Sequence, residues 1–493
     1  MIGLHAWQWS CLPSAQRFAM ALADPQAAQI GCLARLGLER RTLARMPLTT
    51  WQDLQPWIEQ LRVQVDPAIE RLVPTSGSGA ARKLIPWSRP LAGEFRRGIA
   101  AWFARLALQH PDILDGPGYW SITPPLTVDC DGCDTATRSS ATRSSATPIG
   151  FADDTEYLGG RWAGLVRRTL AVDQRMIAGA LGDELLQRTC LGLLGCPELR
   201  LISVWHPTFL LALLEHLEHH RGRLLEDLPR AQRARLRDQS FTQPAALWPN
   251  LRVISAWADG PAAAAARQVQ ERCPGIAFQA KGLLATEGLV SIPWSAQHPL
   301  AITAHVYEFL MPDGSVRWPE DLQIGDQAEV LLTTGGGLRR YRLGDLIAVD
   351  GLVGRTPSLR FLGRLGRVSD LVGEKLDELQ VSRILADAGL NGALLQAESD
   401  QRGYRLLLPR GLRLTGQQAD RLAAITNDIE ARLAHSQQYA TARALGQLRP
   451  LHGVQLPCTA SELLISWATH RGQRVGEAKP PALLLSGDDF QPG

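Results

Sequence analysis

Apolar residues recur at helical spacing through residues 1–70, with Leu33, Leu36 and Leu38 and later Trp57 and Leu61 in step, so the opening of the chain reads as helical. The same period returns over 90–110, where Phe95, Ile99, Trp102, Phe103 and Leu106 form one stripe. It returns again over 161–190, 207–220 and 228–238, the second entered at Pro207, a first-turn position. From 251 the period shortens. "LRVISAW" is a β-branched, mostly apolar strand, and "DGPAAAAARQVQERCPG" is a loop entering an Ala-rich helix that ends at Gly275. "GIAFQAKGLLA" is a second strand that runs into "TEG" at 286–288. Strand, helix and strand in that order predict a parallel sheet. Residues 305–350 read as successive hairpins around an Asp313-Gly314 turn and a run of glycines. Past about 366 the pattern changes to a helix (377–389), two strands ("ALLQAES", "YRLLLP") and a long helix (415–437).

These elements predict a chain of mixed α/β and α+β class. A large N-terminal domain, 1–365, carries mixed and parallel sheets with helices, and a small α+β C-terminal domain, 366–493, follows. The length of 493 residues agrees with more than one core at about 150 residues per domain. A net charge of +3, with Lys and Arg spread along the chain, argues against a nucleic-acid partner. No apolar run approaches the ~18 residues of a membrane span, and "MIGLHAWQWSCLPSAQRF" lacks the features of a secretory signal. Eight scattered cysteines suit a reducing, cytoplasmic setting, and a monomer or weak oligomer is expected. Cys130 and Cys133 in "DCDGCD" have no second CxxC or CxxH to complete a zinc site. His216 and His220 in "EHLEHH" stand four apart but not as HExxH, so a solvated helix face is the preferred reading. The tandem TRSSA-TRSSA within 134–148 reads as a polar surface loop.

The chemistry starts at "VPTSGSGAARKLIPWS" (73–88). Consecutive small residues let backbone N–H groups and hydroxyls converge on phosphate oxygens, and a lysine adds charge. The stretch is neither a Walker loop nor a dinucleotide fingerprint, since Arg82 and Leu84 occupy positions those motifs reserve for other residues. In "TEG", Glu287 is placed at a strand's carboxyl end, where open α/β sheets bind ligands, and a single carboxylate with phosphate oxygens suits Mg²⁺. In "YRLGD", Asp345 lies between strand-like segments, where it can accept from both hydroxyls of a ribose. Lys479 stands alone in "GEAKPPALL". Each of these has a plain structural reading taken singly: a polar turn, a helix-cap acid, a turn aspartate, a surface lysine.

Their order is more specific. "TSGSGAARKLIP" (75–86), "VISAWADG" (253–260), "ATEGLVSIP" (285–293), "YEF" (307–309), "TTGGGLRRYRLGD" (333–345) and "GRLGRVSDLVGEKLDE" (363–378) together resemble the adenylate-forming superfamily. The resemblance is nearest to the acyl acid–amido synthetases of the auxin-responsive promoter (Gretchen Hagen) family and covers the chain from about 75 onward. It implies an ATP- and Mg²⁺-dependent ligase that activates a carboxylic acid as acyl-AMP and passes the acyl group to an amine, typically an amino acid. It implies that Thr75, Ser76, Gly77, Ser78 and Lys83 hold the pyrophosphate end, Asp259 and Gly260 lie at the adenine, and Thr286 meets the α-phosphate. Glu287 would hold the metal, and Asp345 would clamp the ribose with Tyr341 and Arg342 flanking. Arg364 and Arg367 are both candidates for an arginine near the ribose. Lys479 matches the late lysine of the adenylation step, and Asp370 is a candidate hinge for rotation of the small domain.

The chain departs from the superfamily pattern in three places. Gly79 and Ala80 replace a Thr-Gly pair and thin the loop's hydroxyls, and Leu283 is read where an aromatic residue often stacks on adenine. The acid pocket carries no motif; Trp102, Arg105 and Trp205 are its candidates, each of a type found more often in cores or on surfaces. A thiol acceptor, as in acyl-CoA or carrier-protein ligases, shares the first half-reaction. An inactive nucleotide-binding module is the alternative of another class, disfavoured by the presence of Lys83, Glu287, Asp345 and Lys479.

Overall fold

The computed structural model describes residues 2–75, 83–120, 147–148, 164, 169–177, 180, 182–369, 371–372, 374–398, 400, 402–411, 418–444, 447–471, 478, 480–486, 488 and 490. Ser76, Gly77, Ser78, Gly79, Ala80, Asp370, Lys479, the Cys130/Cys133 pair and the whole TRSSA-TRSSA repeat therefore lie outside the described residues.

Helix α1 (Ile2–Ala21) and three shorter helices precede a two-stranded antiparallel sheet of β1 (Ile69–Pro74) and β2 (Leu84–Ser88). Pro74 pairs with Leu84, and the Thr75 N–H donates to the Lys83 carbonyl at 2.8 Å, so the small-residue loop is pinched at its base. Helix α2 (Arg89–Gln109) starts at once because Ser88 caps it, its side chain accepting from the Leu91 N–H, with Pro90 in the first turn.

Strands β3 (Gly118–Trp120), β4 (Leu201–Ser203), β5 (Val253–Ala256) and β6 (Ala277–Ala280) form the expected parallel sheet, in that order. Helices α3 (Gly182–Leu194), α4 (Pro207–His219) and α5 (Ala263–Arg272) supply apolar faces to its core. The strand read over 275–285 is not continuous. It breaks at Gly282, where a Cβ would stand 2.2 Å from the Ser291 carbonyl oxygen. A separate pair, β7 (Leu284–Ala285) against β8 (Gly288–Leu289), then leaves Thr286 and Glu287 as the two residues of a hairpin turn rather than the end of a long strand.

The expected hairpins form a five-stranded antiparallel sheet ordered β10-β9-β11-β12-β13, from β9 (Val306–Leu310), β10 (Val316–Arg317), β11 (Gln327–Thr333), β12 (Tyr341–Val353) and β13 (Thr356–Arg364). Its apolar face packs against α2 around Phe95, Phe309, Leu332 and Tyr341. The short pair β14 (Val368–Ser369) and β15 (Leu376–Asp377) follows, and then helix α6 (Glu378–Asp387), capped by Asp377. A mixed sheet, ordered 18-17-16-19, is built from β16 (Leu394–Ala397), β17 (Tyr404–Arg410), β18 (His452–Thr459) and β19 (Leu483–Leu484), with helices α7 (Gln418–Leu433) and α8 (Ala460–His470). Leu463, Leu464 and Trp467 of α8 sit in the same apolar cluster as Ile202, Ile254 and Leu213 of the parallel-sheet layer. No helix among the described residues is long and apolar enough to cross a membrane.

Candidate functional site

One cavity opens where the carboxyl ends of the parallel strands face the rim of the antiparallel sheet, with α6 and Pro480–Pro481 on its far side. Its charged end is assembled from three elements. The antiparallel register sets Asp345 on β12 directly opposite Arg364 on β13, and the Arg364 Nε donates to the Asp345 carboxylate at 2.9 Å. Asp345 is buried, whereas about half of the Arg364 side chain (48% exposed) faces the opening. Thr286 and Glu287 project from the β7–β8 turn, and Lys83 arrives at the end of the pinched loop.

These groups feel one another. Burial pushes the Glu287 carboxyl upward, while Arg364 and Lys83 pull it back. Burial lowers Lys83, against the pull of Glu287 and Asp345. Asp345, ahead of Glu287, holds the Arg364 guanidinium above its ordinary value. Tyr341 is fully buried, with its hydroxyl unpartnered among the described residues and within electrostatic reach of Glu287, Arg364 and Asp345. A wall of the cavity is closed by Asp259, whose carboxylate accepts the Phe361 N–H at 3.2 Å. Gly260 adopts φ +53, and a Cβ there would meet the Phe361 ring at 3.3 Å.

The turn carrying Thr286 and Glu287 is braced from behind. Leu289, just past it, donates its N–H to His305 Nε2 at 3.0 Å, which assigns the ring proton to Nδ1. That nitrogen donates to Glu94 at 2.6 Å, and the other Glu94 oxygen accepts the Gly335 N–H at 2.9 Å. A buried Glu94–His305 pair thus ties α2, the turn and the 334–338 loop into one unit.

The opposite end of the cavity has different chemistry. Lys281 follows β6, Trp257 follows β5, and Trp205 and His206 follow β4, all at the carboxyl edge of the parallel sheet. The Lys281 ammonium donates to Ser203 Oγ at 2.7 Å. It lies 4.8 Å from the ring centres of Trp102 and Trp205 and 5.9 Å from that of Trp120. Trp102 is itself held by an N–H to Gln279 at 2.9 Å, and Trp205 packs on Trp257 at 5.6 Å.

Residues 299–364 match the model of the GH3 family central domain. Indole-3-acetic acid-amido synthetase GH3.8 of Oryza sativa subsp. indica is 29% identical over 176 residues, 32% of this chain and 29% of that protein. The GH3 domain-containing protein of Mus musculus is 29% identical over 161 residues, 29% of each. The alignments thus span 29% of the length of these two curated relatives. Among solved structures, AtGH3.15 acyl acid amido synthetase in complex with 2,4-DB superposes with a TM-score of 0.78 at 16% identity, over 97% of this chain and 94% of that one. A 2-hydroxyisobutyryl-CoA ligase in the postadenylation state superposes at 0.50 and 13% identity, over 92% and 85%. The fold is that of the solved GH3 acyl acid amido synthetase.

Set on this GH3 fold, the residues singled out in the sequence divide. Thr75, Asp259, Thr286, Glu287, Asp345 and Arg364 line the one cavity, with Lys83, Gly260 and Tyr341 against them. Arg367 goes elsewhere: its Nε donates to the Leu483 carbonyl at 2.7 Å and its Nη2 pairs with Asp488, so of the two candidate arginines Arg364 is the one at Asp345. Arg342 turns away into a pair with Glu329 at 2.7 Å. Trp102 and Trp205 surround Lys281, whereas Arg105 donates to Ser295 at 2.5 Å and covers the Trp294 ring. Lys479 is followed by Pro480, which lines the cavity. Lys281, Trp257 and Glu94 were not singled out. The strand-end rule applied to Glu287 would have found Trp257, but Lys281 becomes a strand-end residue only through the break at Gly282; a glutamate on the apolar stripe of α2 would have flagged the third.

Proposed function

We propose that this protein is a member of the GH3 family and an ATP-dependent ligase that activates a carboxylic acid as its adenylate and then joins it to an amine, an amino acid by the family likeness. The observation that carries this reading is the convergence of Lys83, the Thr286–Glu287 turn and the Asp345–Arg364 pair on one cavity whose other end is aromatic and cationic. Asp345, fixed by Arg364, is oriented to accept from ribose hydroxyls. Thr75, Lys83 and the Ser76-Gly77-Ser78 loop take the pyrophosphate end, Asp259 and Gly260 border the base, and Thr286 faces the α-phosphate. The acid's carboxylate oxygen attacks the α-phosphorus, the α–β P–O bond breaks, and pyrophosphate leaves. The amine nitrogen then attacks the acyl carbon and loses a proton as the C–O bond to AMP breaks. Lys479 supplies positive charge during the first step, where preorganised electrostatic stabilisation does most of the work. Residues 366–493 act as a closing domain.

Mg²⁺ fits this site. Glu287 offers one buried carboxylate, two cations nearby leave room for phosphate oxygens, and the Tyr341 hydroxyl beside them is unpartnered among the described residues. Bound at Glu287, the ion would supply Lewis-acid assistance and orientation to the phosphates.

At the other end, Lys281 and its indoles receive the acid. A flat aromatic or conjugated acid matches the indole walls, and the ammonium pairs with an oxygen of that acid. Acid-dependent exchange of labelled pyrophosphate into ATP tests the whole reading: a broad panel of carboxylic acids without a single supporter of exchange would sink it. Mass spectrometry of products formed with amino acids or with coenzyme A separates amide from thioester formation.

A further inference from the structure

Of the histidines of "EHLEHH", His219 is exposed and His220 half-buried, but His216 is not on a solvated face. His216 is 4% exposed, and Asp183 of α3 reaches toward it. One coordinating atom from each of Asp183, His216 and His220 lies within 4.8 Å of the others, and the two imidazole rings overlap with centroids 4.3 Å apart.

Partners fix the tautomer of His216. The Gln187 amide nitrogen donates to the Asp227 carboxylate at 2.8 Å, so its oxygen is the atom turned to His216 Nε2, 2.9 Å away. An amide oxygen only accepts, so Nε2 carries the hydrogen and a neutral ring bears its lone pair on Nδ1. Nδ1 faces Asp183 Oδ1 at 3.6 Å. Two acceptors set this close call for a cation between them.

We propose that Asp183, His216 and His220 bind one divalent transition-metal ion of the Zn²⁺ class, clipping α4 to α3. Two imidazole nitrogens with one carboxylate suit a borderline ion better than Mg²⁺ or Ca²⁺, and the open side at Asp183 admits the water that completes four-coordination. Gln187 and Asp227 form the outer shell that orients the ligand nitrogen. The site is structural. α4 begins beside His206 at the cavity wall and ends at His219, ~20 Å away at 1.5 Å per residue.

Calorimetric titration of EDTA-treated full-length chain with Zn²⁺, under excess Mg²⁺, tests the site. Wild type should bind one equivalent more than Asp183→Asn/His220→Ala, a pair chosen because neither side chain is in the core. Gln187→Leu should weaken that equivalent by roughly 10- to 100-fold. Zn²⁺ should raise the unfolding temperature of wild type and not of the double variant. Equal stoichiometry and affinity in wild type and the double variant would overturn the proposal, as would no saturable wild-type binding by about 100 μM Zn²⁺.

Discussion

The two ends of the cavity are built in opposite ways. At the charged end, Lys83, Glu287, Asp345 and Arg364 come from tight backbone constructions: a pinched loop, a two-residue turn and a directly opposed cross-strand pair. At the other end, Lys281 is surrounded by side chains from segments far from it in the chain, Trp102, Trp120 and Trp205. Backbone geometry holds a ligand whose shape never varies, whereas a side-chain box can be re-lined without disturbing the strands beneath it. On the function proposed above, the charged end would serve the nucleotide and the box the acid.

Substitutions can break or sharpen that division. The largest effect is expected for Lys83→Ala, a loss of roughly 10²–10³-fold in pyrophosphate exchange with every acid, on the scale of one preorganised donor. An effect confined to particular acids would move Lys83 to the other end. Lys479→Ala should slow adenylation by at least ~100-fold, and wild-type exchange by that variant would remove Lys479 from the reaction. Lys281→Met should reduce kcat/KM for the preferred acid about 10- to 100-fold, the scale of a charge-assisted hydrogen bond, with the KM for ATP unchanged. A matching rise in the ATP KM would erase the distinction between the ends. Glu94→Gln weakens the brace behind the turn and should cost about 1–3 kcal/mol of stability, read by denaturant unfolding. Arg105→Ala should stay within about 0.5 kcal/mol and leave exchange intact, as suits a side chain outside the cavity.

The same division explains what was legible in the sequence. Asp345 and Arg364 each stood in a short motif, but their pairing needed the register of β12 and β13, and the choice between Arg364 and Arg367 needed the point where β13 ends. Glu287 was found by a strand-end argument although it occupies a turn; the break at Gly282 depends on the approach of Ser291 from later in the chain. Lys281 was passed over because its surroundings are contributed by three tryptophans that all lie many tens of residues before it in the chain. His216 was read as solvated for a similar reason: α3, which covers it, is distant in sequence, and helical spacing says nothing about a neighbouring helix.

Trp467 and its neighbours on α8 share one apolar cluster with Ile202 and Ile254 of the parallel sheet. Rotation of residues 366–493 that parted this seam would wet apolar surface, and wetting apolar surface raises heat capacity. A catalytic cycle limited by such a motion carries a thermal signature: its Eyring plot bends, whereas rotation about a pivot that keeps the seam dry leaves the plot straight. Temperature alone, with no substitution and no label, therefore distinguishes a domain that lifts away from one that swivels in place.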